Sequence, residues 1–153
     1  MSNLKLIVLE NIKELGKEIN ENLKKIRKDD SNYMITVKED RFSNGEGKVK
    51  IEDTVRDKDI YIISDVGNYD ITYNMRGVVH HMGPDEHFGD IKRTILALSG
   101  YQEKITLIMP LLYQARQHKR KGRESLDCAL ALQELERLGV NHIITFDAHD
   151  PNV

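Results

Sequence analysis

Phe88-Gly89-Asp90-Ile91-Lys92-Arg93-Thr94-Ile95-Leu96-Ala97-Leu98-Ser99-Gly100-Tyr101-Gln102-Glu103-Lys104-Ile105-Thr106-Leu107-Ile108-Met109-Pro110 changes its hydrophobic period half-way along. Phe88, Ile91, Ile95 and Leu98 recur every three or four residues, the spacing of one helix face. Gly100 follows, where helices commonly turn left-handed and stop. Lys104 to Met109 then reads as a strand, and Pro110 ends it because proline cannot donate to a ladder. A helix followed directly by a strand is the repeating unit of an α/β layer fold.

The same alternation extends both ways. Leu4-Lys5-Leu6-Ile7-Val8-Leu9 and Asp59-Ile60-Tyr61-Ile62-Ile63-Ser64 are short apolar runs that read as buried strands. Between them, Ile12, Leu15, Ile19, Leu23 and Ile26 predict a helix with one core face, with Asn11 placed to cap it. Lys24, Lys25, Arg27 and Lys28 crowd its last turns, where cations complement the helix dipole, and Asp29-Asp30-Ser31-Asn32 breaks it. Tyr33 to Val37 predicts a further strand, and Lys48 to Ile51 a strand exposed on one face. Asp65 to Gly89 has no clear period and predicts an irregular excursion with a short helix near Tyr69 to Val79. Beyond Pro110, Leu126, Leu130 and Leu138 predict a helix from about Glu124 to Leu138, with Gly139 just past its end. His142 to Phe146 is the last strand. This order implies an α/β fold: a mainly parallel sheet with flanking helices and an inserted β-ribbon.

The chain has 153 residues, the length of one ordinary domain, here read as 1–150. Hydrophobic residues make up 39% and charged residues 31%, which suits a solvated globular protein with a real core. The net charge of −2 gives no global positive field for nucleic acid. A single cysteine, Cys128, excludes an internal disulfide framework and a four-cysteine zinc site. No apolar run approaches the ~20 residues of a membrane span, and Met1 to Leu9 does not read as a signal peptide. The expectation is a cytoplasmic protein with neither nucleic acid nor membrane as partner.

Four segments carry residue types suited to chemistry. In Arg41-Phe42-Ser43-Asn44-Gly45-Glu46-Gly47, the glycines let backbone amides approach a ligand, Phe42 suits stacking on a flat ring, and Asn44 and Glu46 suit its polar edge; a hairpin turn with an aromatic plug explains the same residues. In Leu112 to Glu124, five of the eight residues from Arg116 to Arg123 are Lys or Arg. That loop follows a strand and precedes a helix, where open α/β sheets bind ligands, and guanidinium forks match phosphate oxygens; a solvated basic loop is the alternative. In Ile143-Ile144-Thr145-Phe146-Asp147-Ala148-His149-Asp150, a carboxylate and an imidazole follow a strand, a set suited to Mg²⁺ bridged to a nucleotide. His80-His81 with Asp85, Glu86 and His87 superficially resembles a transition-metal site. Its spacing matches no zinc pattern, and Pro84-Asp85-Glu86 reads as the acidic first turn of a helix.

Together and in this order, these segments resemble the N-terminal domain of ribose-phosphate diphosphokinase, or PRPP synthetase. Phe42-Ser43-Asn44-Gly45-Glu46 resembles the family's F-S-D-G-E loop. Glu52-Asp53-Thr54-Val55-Arg56-Asp57-Lys58-Asp59-Ile60-Tyr61 resembles E-E-S-V-R-G-x-D-V-Y. Met109-Pro110 through Tyr113-Gln114-Ala115-Arg116-Gln117 resembles P-Y-x-x-Y-A-R-Q-D, and Thr145-Phe146-Asp147-Ala148-His149 resembles T-x-D-L-H. The resemblance runs from about Leu4 to His149. It implies a phosphoribosyltransferase-like fold and a reaction that moves the β,γ-diphosphoryl group of ATP onto the 1-hydroxyl of ribose 5-phosphate, giving PRPP and AMP. It implies that Phe42, Asn44, Gly45 and Glu46 lie on a loop reaching adenine across a subunit interface, so that the protein is a homo-oligomer. Arg116 and Gln117 would contact ATP, and His149 with Asp147 would serve the Mg²⁺ of Mg-ATP.

Asn44 and His118 stand where the family has Asp, Ser125 stands where it often has Pro, and the Asp65–Gly89 stretch is longer than usual. The family's second domain, with its ribose-phosphate loop and basic catalytic loop, has no counterpart in the sequence, which stops at Asp150-Pro151-Asn152-Val153. The expectation is therefore the ATP-binding half of the enzyme, inactive as this chain alone and meeting ribose 5-phosphate only with that second domain. A non-catalytic regulatory or interaction domain of the same fold is the alternative.

Overall fold

A computed structural model describes residues 3–117 and 119–149. In chain order the elements are β1 (Leu4–Val8), α1 (Lys13–Arg27), β2 (Val37–Arg41), β3 (Gly47–Ile51), β4 (Asp59–Ile63), β5 (Thr72–Met75), β6 (Val78–His81), α2 (Pro84–Leu98), β7 (Lys104–Ile108), α3 (Asp127–Arg137) and β8 (His142–Ile144). The central sheet has the order β1-β4-β7-β8, and every pairing in it is parallel. Parallel strands are covered on both faces, which is why they read as continuous apolar runs. Ile7, Ile60, Ile62, Ile105 and Leu107 pack with Phe88, Ile91 and Ile95 of α2 and Cys128, Ala131 and Leu135 of α3. Leu6 and Ile63 point the other way, toward Ile12, Ile19 and Leu23 beside and within α1. The result is three layers with the sheet in the middle.

Helix α1 lies closer to the sheet than its apolar residues predict. Its buried positions are Gly16 and Asn20, while Leu15 and Ile26 face outward at 43% and 77% exposure. A methyl on Gly16 would collide with the Val8 side chain, so the helix sits directly on β1. Asn20 is buried because its Oδ1 accepts the Tyr33 N–H at 3.0 Å. Asn11 does not cap α1; it lies in a 3-10 turn (Glu10–Ile12) and its side chain is drawn into the interior.

The strand expected over Tyr33–Val37 begins only at Val37. Before it, Met34 bridges Leu6 at the sheet edge, through bonds of 2.8 Å from Leu6 N–H to the Tyr33 carbonyl and from Ile35 N–H to the Leu6 carbonyl. β2 and β3 then form the antiparallel ribbon. The short helix expected near Tyr69–Val79 is a second antiparallel ribbon, β5–β6. Its two-residue turn has Arg76 at φ 52° and Gly77 at φ 86°, both left-handed as a type I′ turn requires. Neither strand of this ribbon is buried on a face, so no hydrophobic period marks it.

α2 starts at Pro84, with the Glu86 carboxylate accepting the Gly83 N–H at 2.7 Å, and stops through left-handed Ser99 and Gly100. α3 starts at Asp127 rather than Glu124, and Leu130 faces outward; Cys128, Ala131 and Leu135 are its buried stripe. β8 is shorter than expected and ends at Ile144, before Phe146. Among the described residues, no helix is long and apolar enough to cross a membrane.

Candidate functional site

Past the carboxyl ends of β7 and β8, the two loops are tied through the carbonyls of Pro110 and Asp147, the latter accepting the Leu112 N–H at 3.1 Å. Pro110 O accepts the N–H groups of Phe146 and Asp147 at 3.1 and 2.9 Å, and the Thr145 hydroxyl at 3.2 Å. Leu111 bridges Asp147, so the two loops leave the sheet side by side. Between them opens a cavity of about 400 Å³, lined by Leu111 to Arg116, Asp147, His149, Pro84 and the Val66–Gly67 turn. It lies at the strand ends where α/β sheets bind ligands. Arg116 shares this cavity with Asp147 and His149, which lie far from it in sequence.

The lining is built under backbone strain. Gln114 and His149 have φ of 56° and 55°, the left-handed region that costs a non-glycine residue about 1–2 kcal/mol. At Gln114 the kink lets Gln117 N–H reach the Gln114 carbonyl at 2.8 Å and turns Arg116 to the cavity. At His149 the backbone N–H is taken by the Asp147 carboxylate at 3.2 Å. Tyr113 stacks on Phe88 with centroids 4.2 Å apart and donates its hydroxyl to Asp85 at 2.7 Å. Burial, and then the Asp85 hydrogen bond, push the Tyr113 phenol above its ordinary pKa.

The wall formed by Val66 and Gly67 rests on a buried polar network. Asn68 O can only accept, so His87 Nε2 carries the proton it donates there, at 2.8 Å. His87 Nδ1 is then the acceptor for Asn11 Nδ2 at 3.0 Å. Asn11 Oδ1 accepts the Asp65 N–H at 3.1 Å, and Asn68 Nδ2 donates to the Asn11 carbonyl at 2.9 Å. Asn11, which the sequence suggests as a helix cap, and His87, whose neighbours match no zinc spacing, both serve this wall. Only their burial, at 6% and 2% exposure, distinguishes them.

His80 and His81 stack on Tyr73 and Tyr69, with centroids 5.9 and 4.4 Å apart, lacing the β5–β6 ribbon. Among the described residues, no group of three His, Cys, Asp or Glu side chains could hold a metal ion. Asp147 supplies one carboxylate, the kind of protein donor that suits an Mg²⁺ ion carried chiefly by nucleotide phosphates, and His149 lines the cavity beside it.

The other expected residues lie elsewhere. Gln117 does not line the cavity; its Nε2 ties the basic loop to the Ser125 carbonyl at 2.8 Å. Phe42, Asn44, Gly45 and Glu46 form the tip of the β2–β3 ribbon, apart from the cavity and against the β5–β6 ribbon. Phe42 is 53% exposed there. His118, Asp150 and the C-terminal residues lie outside the described residues.

Comparisons with known proteins agree with this architecture. The family model for the N-terminal domain of ribose phosphate pyrophosphokinase matches residues 4–139. A ribose-phosphate pyrophosphokinase from Corynebacterium ammoniagenes is 29% identical over 154 aligned residues, covering 99% of this chain and 42% of that protein. Ribose-phosphate pyrophosphokinase A from Dictyostelium discoideum is 31% identical over 110 residues, covering 71% of this chain and 31% of that protein. The crystal structure of phosphoribosylpyrophosphate synthetase from Mycobacterium smegmatis superimposes with a TM-score of 0.79 at 24% identity, covering 99% of this chain and 44% of that one. The chain thus spans less than half the length of the relatives it matches.

Proposed function

Because this chain belongs to the family of the ribose phosphate pyrophosphokinase N-terminal domain, we propose that it is the ATP-holding half of an enzyme that transfers the β,γ-diphosphoryl group of ATP to the 1-hydroxyl of ribose 5-phosphate. The observation that carries this reading is the cavity that gathers Arg116, Asp147 and His149 at the ends of β7 and β8. Transfer of this kind is mostly positioning and charge neutralisation. Arg116 presents a planar fork to phosphate oxygens, while Asp147 and His149 would hold Mg²⁺. The ion supplies neutralisation of the polyphosphate when bound. The left-handed turns at Gln114 and His149 fix where these side chains start, and the Asn11–His87 network fixes the opposite wall.

The remaining length of the relatives has no counterpart in these residues, so the proposal assigns the chain nucleotide holding and leaves turnover to the assembled enzyme. The exposed Phe42–Glu46 tip would read the adenine held by a second copy, which makes the working unit a homo-oligomer. A titration of the ¹⁵N-labelled chain with Mg-ATP tests the site. The reading expects amide shifts concentrated at 111–116 and 147–149. No shifts, or shifts spread over lysines of α1 as much as over the cavity, would overturn it.

A further inference from the structure

The β5–β6 ribbon is the segment that the resemblance leaves unexplained, and it touches the tip of β2–β3 at several points. Arg76 N–H donates to the Ser43 carbonyl at 3.1 Å. A Cβ on Gly45 would sit 3.0 Å from Met75 Sδ and 3.4 Å from the Tyr73 hydroxyl. Tyr73 in turn donates to Glu86 in the first turn of α2, at 2.6 Å.

Arg41 is the hub of this contact. Its guanidinium is ion-paired with Asp90 of α2, lies 5.6 Å from the centroid of the Tyr73 ring, and reaches the Gly45 carbonyl at 3.5 Å. Its side chain is only 11% exposed and that of Asp90 5%. Arg93 shares the Asp90 carboxylate at 2.9 Å. Gly47 leaves room for both: a Cβ there would come within 2.5 Å of Arg41 Nη1 and 2.9 Å of Arg93 Nη1. A lysine could keep the charge opposite Asp90, but it has no planar fork to serve Asp90, the Tyr73 face and the Gly45 carbonyl at once.

We propose that Arg41 and the β5–β6 ribbon form a brace that fixes the shape of the Phe42–Glu46 loop before any ligand arrives, which makes Arg41 and Tyr73 positioning residues for that loop. A preformed loop loses less freedom when it closes on a ligand. That benefit to nucleotide binding rests on the function proposed above, whereas the brace is tested without nucleotide, so the two can fail separately.

Amide hydrogen exchange on the 153-residue chain compares wild type with Arg41→Lys, Tyr73→Phe and Gly47→Ala. The proposal expects Gly45, Glu46 and Arg76 amides to be protected in wild type. In each variant they exchange at least tenfold faster, while Ile7, Ile62 and Leu107 in the central sheet keep their rates. A general loss of stability would speed the sheet as well and so does not give this pattern. If Arg41→Lys unfolds the chain, Tyr73→Phe, which removes one hydroxyl, decides. Loop amides already unprotected in wild type, or variants that leave all three rates unchanged, overturn the brace.

Discussion

Replacing Glu39 with glutamine should stabilise the protein at high pH and leave it unchanged at low pH. Glu39 sits on β2 with its carboxylate turned inward, where Oε1 accepts the Glu10 N–H at 2.8 Å. Burial is the main reason its pKa is raised from 4.5 to about 7; the charges of Asp90 and Glu10 add to the rise, and the Glu10 N–H and Arg41 oppose it. Lys13 is the other nearby charged group. A carboxyl whose pKa is higher folded than unfolded binds its proton more tightly in the folded state. Stability is therefore unaffected below the unfolded value, falls as pH rises from about 4.5 to about 7, and then levels off. A difference of about 2.5 units at 1.36 kcal/mol each gives a ceiling of about 3 kcal/mol, reduced wherever the ribbon relaxes and admits water. Glutamine keeps the acceptor for Glu10 N–H and never ionises. Thermal melts of wild type and Glu39→Gln at pH 4 and pH 8 measure the difference, and groups common to both chains cancel. The variant should match wild type at pH 4 and melt roughly 3 to 10 °C higher at pH 8, at about 2–4 °C per kcal/mol for a domain of this size. Parallel curves would show that Glu39 is solvated and that the ribbon is not packed as described.

Gly16→Ala should destabilise by about 1–3 kcal/mol, seen as a lower urea midpoint, because a methyl collides with Val8 in a helix already seated on the sheet. A midpoint equal to wild type would mean that α1 stands farther off. Cys128 is fully buried and burial pushes its thiol above the ordinary pKa, so a thiol reagent should label it only at the rate of unfolding; immediate labelling of the native chain would contradict the packing of α3. Sedimentation at micromolar concentration should show self-association if the exposed Phe42 tip completes a neighbour's site, and a clean monomer would count against that shared arrangement.

Sequence patterns resolve the sheet and α2 well because those elements are buried on whole faces. Ile60, Ile62, Ile105 and Leu107 have no polar alternative to the core, and Pro84 and Gly100 bracket α2 in the expected manner. The reading fails where burial is decided by something other than hydrophobicity. On and beside α1, Ile12, Ile19 and Leu23 pack against the sheet as the apolar period expects, but Gly16 is buried for its size and Asn20 for its hydrogen bond to Tyr33, while Leu15 and Ile26 of the same period face outward. In β5–β6, stacked Tyr–His pairs and a left-handed Arg76-Gly77 turn replace a buried face, and no period of two survives. Spacing alone puts Arg116, Asp147 and His149 after strands, and the cavity gathers the three. The strained Gln114, and the support of Asn11 and His87 behind Val66–Gly67, depend on contacts between distant segments that spacing cannot reveal.

The central claim is that the cavity beyond β7 and β8 holds the phosphates of ATP through Arg116. Calorimetric titration of Mg-ATP into wild type, Arg116→Ala and Lys121→Ala tests it directly, since both variants remove one cation from the same loop but only Arg116 lines the cavity. The account predicts that Arg116→Ala weakens binding by about 1.5–3 kcal/mol, roughly ten- to a hundredfold, as expected for lost hydrogen bonds to a charged group. Lys121→Ala should stay within about twofold of wild type, the small effect expected of a screened surface charge. Equal losses in the two variants would reduce the loop to diffuse charge, and an unchanged affinity in Arg116→Ala would contradict the site.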